Sequence, residues 1–303
     1  MGEIFSKILS MLVIIALGYA LKYFGVVKRE DFRILSTVLI HITVPAAVIV
    51  NFDGFIIQPS MAMIPLLCIA FFFLASGMCH MMTTKNTPTE QAFVLLNATT
   101  YNTGAFTMAF VQTLLPGSSV VAVSLFDIGN SPCCAVFNHI MAGSIMGKSK
   151  KIDAKFVVHQ LTHSFTFMFY MIMTAKCLLR LPTPEFILVP AKLIAPANVV
   201  FAMLSVGVGM EFHFPKDEIM LLIKCLVIRF STAIPLALIC WYLLPFDHYI
   251  RLALVMVSFS PSTLFGALFT RDLGGNYALA NTAISTSIII TTIILTVVSV
   301  ILI

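Results

Sequence analysis

NATTYNTGAFTMAF, residues 97–110, breaks the pattern of the chain around it. It sits in an otherwise apolar run from 92 to 115, yet gathers Asn97, Thr99, Thr100, Asn102, Thr103 and Gly104 within eight residues. Polar side chains are costly inside a bilayer, and non-helical backbone is tolerated there only where protein or a watery cavity satisfies it. A second interruption, SFSPSTLFG at 258–266, carries Pro261, which removes a backbone donor and disfavours helix at Ser260. Two interrupted hydrophobic segments at matching places in two halves point to a transporter's binding site.

Working outward, composition sets the class. Of 303 residues, 59% are hydrophobic and 10% charged, with a mean hydropathy of +1.02. Soluble domains carry roughly 25% charged residues, so the chain reads as an all-α, polytopic membrane protein. The net charge of +5 falls in short loops, where it reports topology rather than a nucleic-acid partner. The seven cysteines (68, 79, 133, 134, 177, 225, 240) lie in apolar segments without C-x-x-C spacing and read as inert thiols. The first 24 residues, with one internal lysine before Lys22 and no small-residue cleavage site, read as a retained span rather than a signal peptide.

Ten apolar stretches are each long enough for a hydrocarbon core of ~30 Å: near 4–24, 32–51, 60–82, 91–114, 118–146, 160–180, 185–210, 217–244, 249–270 and 277–302. The whole chain, 1–303, reads as one transmembrane transporter domain. Lys22, Lys28, Arg29, Arg33, Lys85, Lys148, Lys150, Lys151, Lys155, Lys216 and Arg271 fall on one side, against Lys7, Lys176, Arg180 and Arg251 on the other. The excess of positive charge marks the cytoplasmic side, which places both termini outside a cell membrane.

The halves also resemble each other. HITVPAAVIVNF with Pro45 parallels KLIAPANVVFAM with Pro196, 151 residues on. NTGAFTMAF from Asn102 overlays PSTLFGALF from Pro261, and GSSVVAVSLFDIGNS from Gly117 overlays GGNYALANTAISTSI from Gly274. With five spans in each half, the second enters the membrane upside down, giving inverted repeats of about 1–150 and 156–303.

LSTVLIHITVPAAVI (35–49), NTGAF (102–106), SLFDIGN (124–130) and SPSTLFGALFTRDLGGNYALANTAISTS (260–287) resemble the auxin efflux carrier family. That family includes bacterial malate and malonate permeases and, more distantly, the plant PIN auxin carriers. The resemblance implies a ten-helix fold in which helices 4 and 9 are broken and cross, with an anionic substrate beside the crossing. Where the family follows its NTG with a Gly and then a Pro, this chain has Thr107 and Ala109.

Candidate substrate contacts are Asn97, Asn102, Thr103 and Gly104 at the first break, and Pro261, Ser262 and Thr263 at the second. Asn281 and Ser285 on the last span correspond to the span 5 positions by the repeat. An amide beside exposed helix N–H groups suits a carboxylate, although a buried Asn or Ser also serves simply to hold membrane helices together. Arg229, the deepest arginine, offers a planar fork to an anion. Asp127 and Asn130, one turn apart on span 5, form the ion-coupling candidate, since an acid within a span lines a pathway or pairs structurally. No nucleophile–base pair, phosphate loop, haem motif or histidine spacing for a metal is present. No enzyme, cofactor or metal is therefore expected, only H⁺ or Na⁺ as coupling ion.

The reading is a secondary active permease of small organic anions, carboxylates first, working by alternating access. A ligand sensor built on a carrier fold and an anion channel are the alternatives. The expected partners are the anion and the lipid bilayer, with a homodimer left open. The charge asymmetry predicts that Lys151→Cys, in a variant lacking native cysteines, resists an impermeant thiol reagent added outside intact cells. Rapid labelling would reverse the orientation.

Overall fold

Apolar runs deprived of water must close their backbone hydrogen bonds internally, and helices do so within one segment. The computed structural model describes residues 2–147, 154–214 and 218–303, and the architecture is all-helical. Helix α1 is Gly2–Tyr23. Next, α2 (Phe32–Val38) runs through a π-helical turn, Leu39–Thr43, into α3 (Val44–Phe52). Helix α4 (Met63–Thr83) follows, then α5 (Pro88–Ala98) and α6 (Met108–Leu114). Helix α7 (Gly117–Pro132) passes through a second π turn, Cys133–Phe137, into α8 (Asn138–Ile145). The second half holds α9 (Ala154–His163), α10 (Phe165–Leu178), α11 (Glu185–Ile194) and α12 (Ala197–Gly209). It ends with α13 (Ile219–Tyr242), α14 (His248–Ser258), α15 (Leu264–Asp272) and α16 (Tyr277–Leu302).

Among the described residues, six helical segments are long and apolar enough to cross a membrane, and the pair α11–α12, bent by 44°, joins them as a seventh. The expected spans near 91–114, 160–180 and 249–270 are each split in two. Proline accounts for the α11–α12 bend, since Pro196 lies in the break. At the α9–α10 break Ser164 is extended, with no proline beside it. Lys148, Lys150, Lys151 and Lys216 of the basic set, and residue 150 at the expected limit of the first repeat, lie outside the described residues.

Three helix starts away from the breaks are fixed by caps. Thr87 and Glu90 cap α5 reciprocally: the Thr87 hydroxyl accepts from the Glu90 N–H at 3.3 Å, and the Glu90 carboxylate accepts from the Thr87 N–H at 2.9 Å. Asp247 caps α14 by accepting from the Tyr249 and Ile250 N–H groups, and Asn276 caps α16.

Close approach then sets the packing. A Cβ at Gly18 of α1 would lie 2.5 Å from the Leu204 carbonyl oxygen, and one at Gly207 of α12 would lie 2.1 Å from that of Ile15. The two helices therefore run in backbone contact, as small residues permit in membranes. Ala46 and Ala47 form a buried cluster with Ala191 and Ala195 where α3 packs against α11. Large apolar side chains such as Phe186 and Leu193 point outward, the surface that lipid requires.

Candidate substrate and ion site

Helix α5 stops at Ala98, and residues 99–102 leave the helix before a π-helical turn, Thr103–Thr107, leads into α6. Helix α14 stops at Ser258, and the chain is extended again at Thr263, the N-cap of α15. The two interruptions meet. Tyr101 and Ser262 form an antiparallel bridge, and the Asn102 N–H donates to the Pro261 carbonyl at 2.9 Å. The π turn and α15 thus begin on either side of one short backbone pairing.

Such a junction strands carbonyl groups where no helix can satisfy them. Arg229 of α13, 2% exposed, reaches into it. Its Nε donates to Ser260 O at 3.0 Å, Nη1 to Ala98 O at 3.3 Å and Thr100 O at 2.7 Å, and Nη2 to Ser260 O and to Pro261 O at 3.4 Å. All five N–H donors of the guanidinium are occupied, and the group also stacks over the Tyr101 ring, 4.2 Å from its centroid. Arg229, expected as a substrate contact, here spends its donors on the backbone of both breaks.

Other side chains complete the repair. The Asn130 amide donates to Tyr101 O at 2.7 Å and accepts from Tyr101 N at 3.1 Å, standing in for a missing strand neighbour. Ser287 accepts from Ser262 N, while the Ser262 hydroxyl donates to Asn97 O at 2.6 Å. Thr107 and Ser260 pair through their hydroxyls at 2.5 Å. The break in the first half therefore needs neither the Gly nor the Pro of the family pattern, because Thr107 and its neighbours bind the opposite segment directly.

Asp127 of α7 joins this assembly. Its Oδ1 accepts from the Thr103 hydroxyl and from the Asn130 amide at 2.9 Å. Its Oδ2 faces Gly104, 3.3 Å from where a Cβ would stand, and the Tyr170 hydroxyl of α10 lies 3.4 Å from that same point. The Tyr170 ring is fully buried, and its hydroxyl has no hydrogen-bond partner among the described residues. A carboxylate oxygen and a phenol thus converge on one Cβ-free position.

The structure gathers Asn102, Thr103, Gly104, Asp127, Asn130, Arg229, Pro261, Ser262 and Thr263 around the bridge. Asn97 lies a turn back on α5, where its amide donates to Phe93 O and, at 3.0 Å, to the Thr270 hydroxyl of α15. Asn281 and Ser285 engage Glu211 instead of the bridge. Sequence reasoning overlooked Tyr170, whose immediate neighbours in FTFMFYMIM are Phe and Met, with no polar residue beside it to mark it. It also overlooked Asn138, whose amide donates to Leu96 O at 3.2 Å and accepts from Thr99.

Replacing Arg229 tests this geometry. Arg229→Met takes the guanidinium from the Ala98, Thr100 and Ser260 carbonyls, each at about 1–3 kcal/mol, while Pro261 O keeps the Asn102 N–H. It is expected to abolish monodisperse folded protein on fluorescence-detected size exclusion. Arg229→Lys keeps the charge without the fork and should give folded protein with a lowered melting temperature. Wild-type stability in Arg229→Met would refute the clip.

A family model described as membrane transport protein matches residues 3–166, more than half of the chain. The match includes the first break, Asp127 and Asn130; the second break lies beyond it and is joined to them by the contacts above. No curated protein matches the chain. The protein is thus a multi-pass membrane protein, and it belongs to the auxin efflux carrier-like membrane transport family.

Proposed function

We propose that the chain is a secondary active carrier of small organic anions, with carboxylates as the substrate class. In this reading ten spans form two inverted five-span repeats, about 1–150 and 156–303, and broken helices 4 and 9 cross where the anion binds. The observation that carries it is the pairing of the two breaks at Tyr101 and Ser262. There the starts of the π turn at Thr103 and of α15 at Leu264 lie together, so two positive dipole ends and their N–H groups face one site. The Arg229 cation behind the bridge adds to the same potential while its hydrogen bonds hold the backbone. Asn102, Thr263 and Gly104 are the contacts this reading favours.

Asp127 and Asn130 supply the coupling. Asp127 hydrogen-bonds Thr103, the first residue of the π turn, so a change in the charge at Asp127 is felt directly by the segment that binds substrate. A proton or Na⁺ taken up there offsets the charge of the anion during passage. Alternating access suits two fixed, paired breaks better than a continuous channel does. The protein is placed in the cell membrane with both termini outside.

Proteoliposomes holding the full chain, challenged with labelled mono- and dicarboxylates, should show saturable uptake driven by an inward H⁺ or Na⁺ gradient. Asp127→Asn should keep substrate exchange within about twofold and lose about tenfold of the accumulation that one pH unit sustains. Saturation by a neutral or cationic solute alone would refute the anion reading. Gradient-driven accumulation at the wild-type level in Asp127→Asn would remove Asp127 from the coupling role.

A further inference from the structure

Residues 210–214 leave α12 as a short strap, with Met210 extended at φ −63°, ψ 131°. The strap lies along the first turns of α16. The Glu211 N–H donates to the Ser285 hydroxyl at 2.8 Å, and the His213 N–H donates to the Thr282 hydroxyl at 2.8 Å. The Thr282 hydroxyl in turn donates to His213 O at 3.0 Å. The Asn281 amide donates to the Glu211 carboxylate at 3.2 Å. On the other side, the Lys22 ammonium of α1 donates to Met210 O. Since α1 and α12 run in backbone contact at Gly18 and Gly207, the strap ties that stiff pair to α16.

Asn281, Thr282 and Ser285 are buried, at 8%, 0% and 1% exposure, and buried polar groups require partners. They share one helical face, at i, i+1 and i+4. The Thr282 and Ser285 hydroxyls also donate within α16, to Ala278 O and Asn281 O, so the Asn281 amide is the group that depends on the strap, through Glu211. Motion of α16 against α1 and α12 takes Glu211 from the Asn281 amide and leaves the two neighbouring hydroxyls with only their intrahelical partners. Another ligand must then take the place of Glu211, and the group that reproduces what Glu211 offers to the Asn281 amide is a carboxylate. We propose that the Asn281–Thr282–Ser285 face of α16 is a carboxylate subsite, filled in this conformation by the protein's own Glu211. The proposal rests on the carrier reading above and deepens it: substrate competes with an internal carboxylate for the face, and the strap opens when substrate wins. Because only the fraction with the strap released is competent to bind, Glu211 lowers the apparent affinity.

The test reads the accessibility of position 285. Ser285→Cys is introduced into the full chain lacking native cysteines, reconstituted in nanodiscs, and labelled with a small methanethiosulfonate reagent. Adding Glu211→Ala should raise the labelling rate about tenfold as the strap is released. Adding Glu218→Gln, which alters only the carboxylate held by Asn276 at 2.5 Å, should leave the rate unchanged. In the Glu211→Ala background succinate or acetate should slow labelling, while a neutral diol of similar size should not. An unchanged rate on Glu211→Ala overturns the proposal, as does labelling indifferent to both carboxylates. Protection by a carboxylate in a protein that moves none in proteoliposomes upholds the subsite and removes the carrier reading, leaving a ligand sensor.

Discussion

Four backbone carbonyls, those of Ala98, Thr100, Ser260 and Pro261, impose the constraint on which the rest of the structure depends. They belong to two apolar segments that stop being helical, where water is excluded and an unpaired carbonyl costs about 1–3 kcal/mol. One guanidinium from α13 answers all four. Lysine has three donors on a flexible stem, whereas arginine presents five in a fixed fork. The fork spans both segments because they lie side by side, and they stay side by side because the fork spans them. Burying the cation is itself costly, and close carbonyl contacts together with the Tyr101 ring offset that cost.

From this clip the proposed function follows in steps. The interruptions free the starts of two helices, and the clip holds them together, which concentrates positive potential without placing a flexible cation in the substrate's path. Asn130 serves two masters: its amide pairs with the unwound Tyr101 backbone and also donates to Asp127. A change at Asp127 therefore reaches the broken segment through both Thr103 and Asn130. Away from the bridge, the strap at 210–214 adds to the direct packing of α1 on α16 a set of hydrogen bonds that a carrier would have to release. In the proposed function, binding, coupling and gating occupy different residues.

Much of the fold could be read from residues, for physical reasons that differ by element. Polar residues crowded at 97–104 and Pro261 in an apolar run are expensive, so they marked both breaks, and the structure has them at 99–102 and 259–263. Asp127 stood out for the same reason, as an acid far from any predicted end. What sequence could not carry was partnership across the fold. The geometry of Arg229 is decided by carbonyls, which every residue has, so its side chain looked free to meet an anion. Glu211 sat near a predicted helix end, where an acid costs little, and nothing local revealed that Asn281 would reach it. Tyr170 was hidden among aromatics. The split at Ser164 has no proline to announce it.

The central claim is that the two breaks act as one clipped body, and the Thr107–Ser260 hydroxyl pair gives direct access to it, since these side chains already touch at 2.5 Å. In a chain freed of native cysteines, Thr107→Cys with Ser260→Cys should form a disulfide on oxidation, checked by mobility on a gel after cleavage at an engineered protease site between the two positions. Carboxylate uptake into proteoliposomes is then compared before oxidation, after oxidation and after reduction. If the breaks travel together, the cross-linked carrier keeps its uptake within about twofold of the reduced form. Uptake abolished by the cross-link and restored by reduction would mean that the segments must part during the cycle, which would contradict the account.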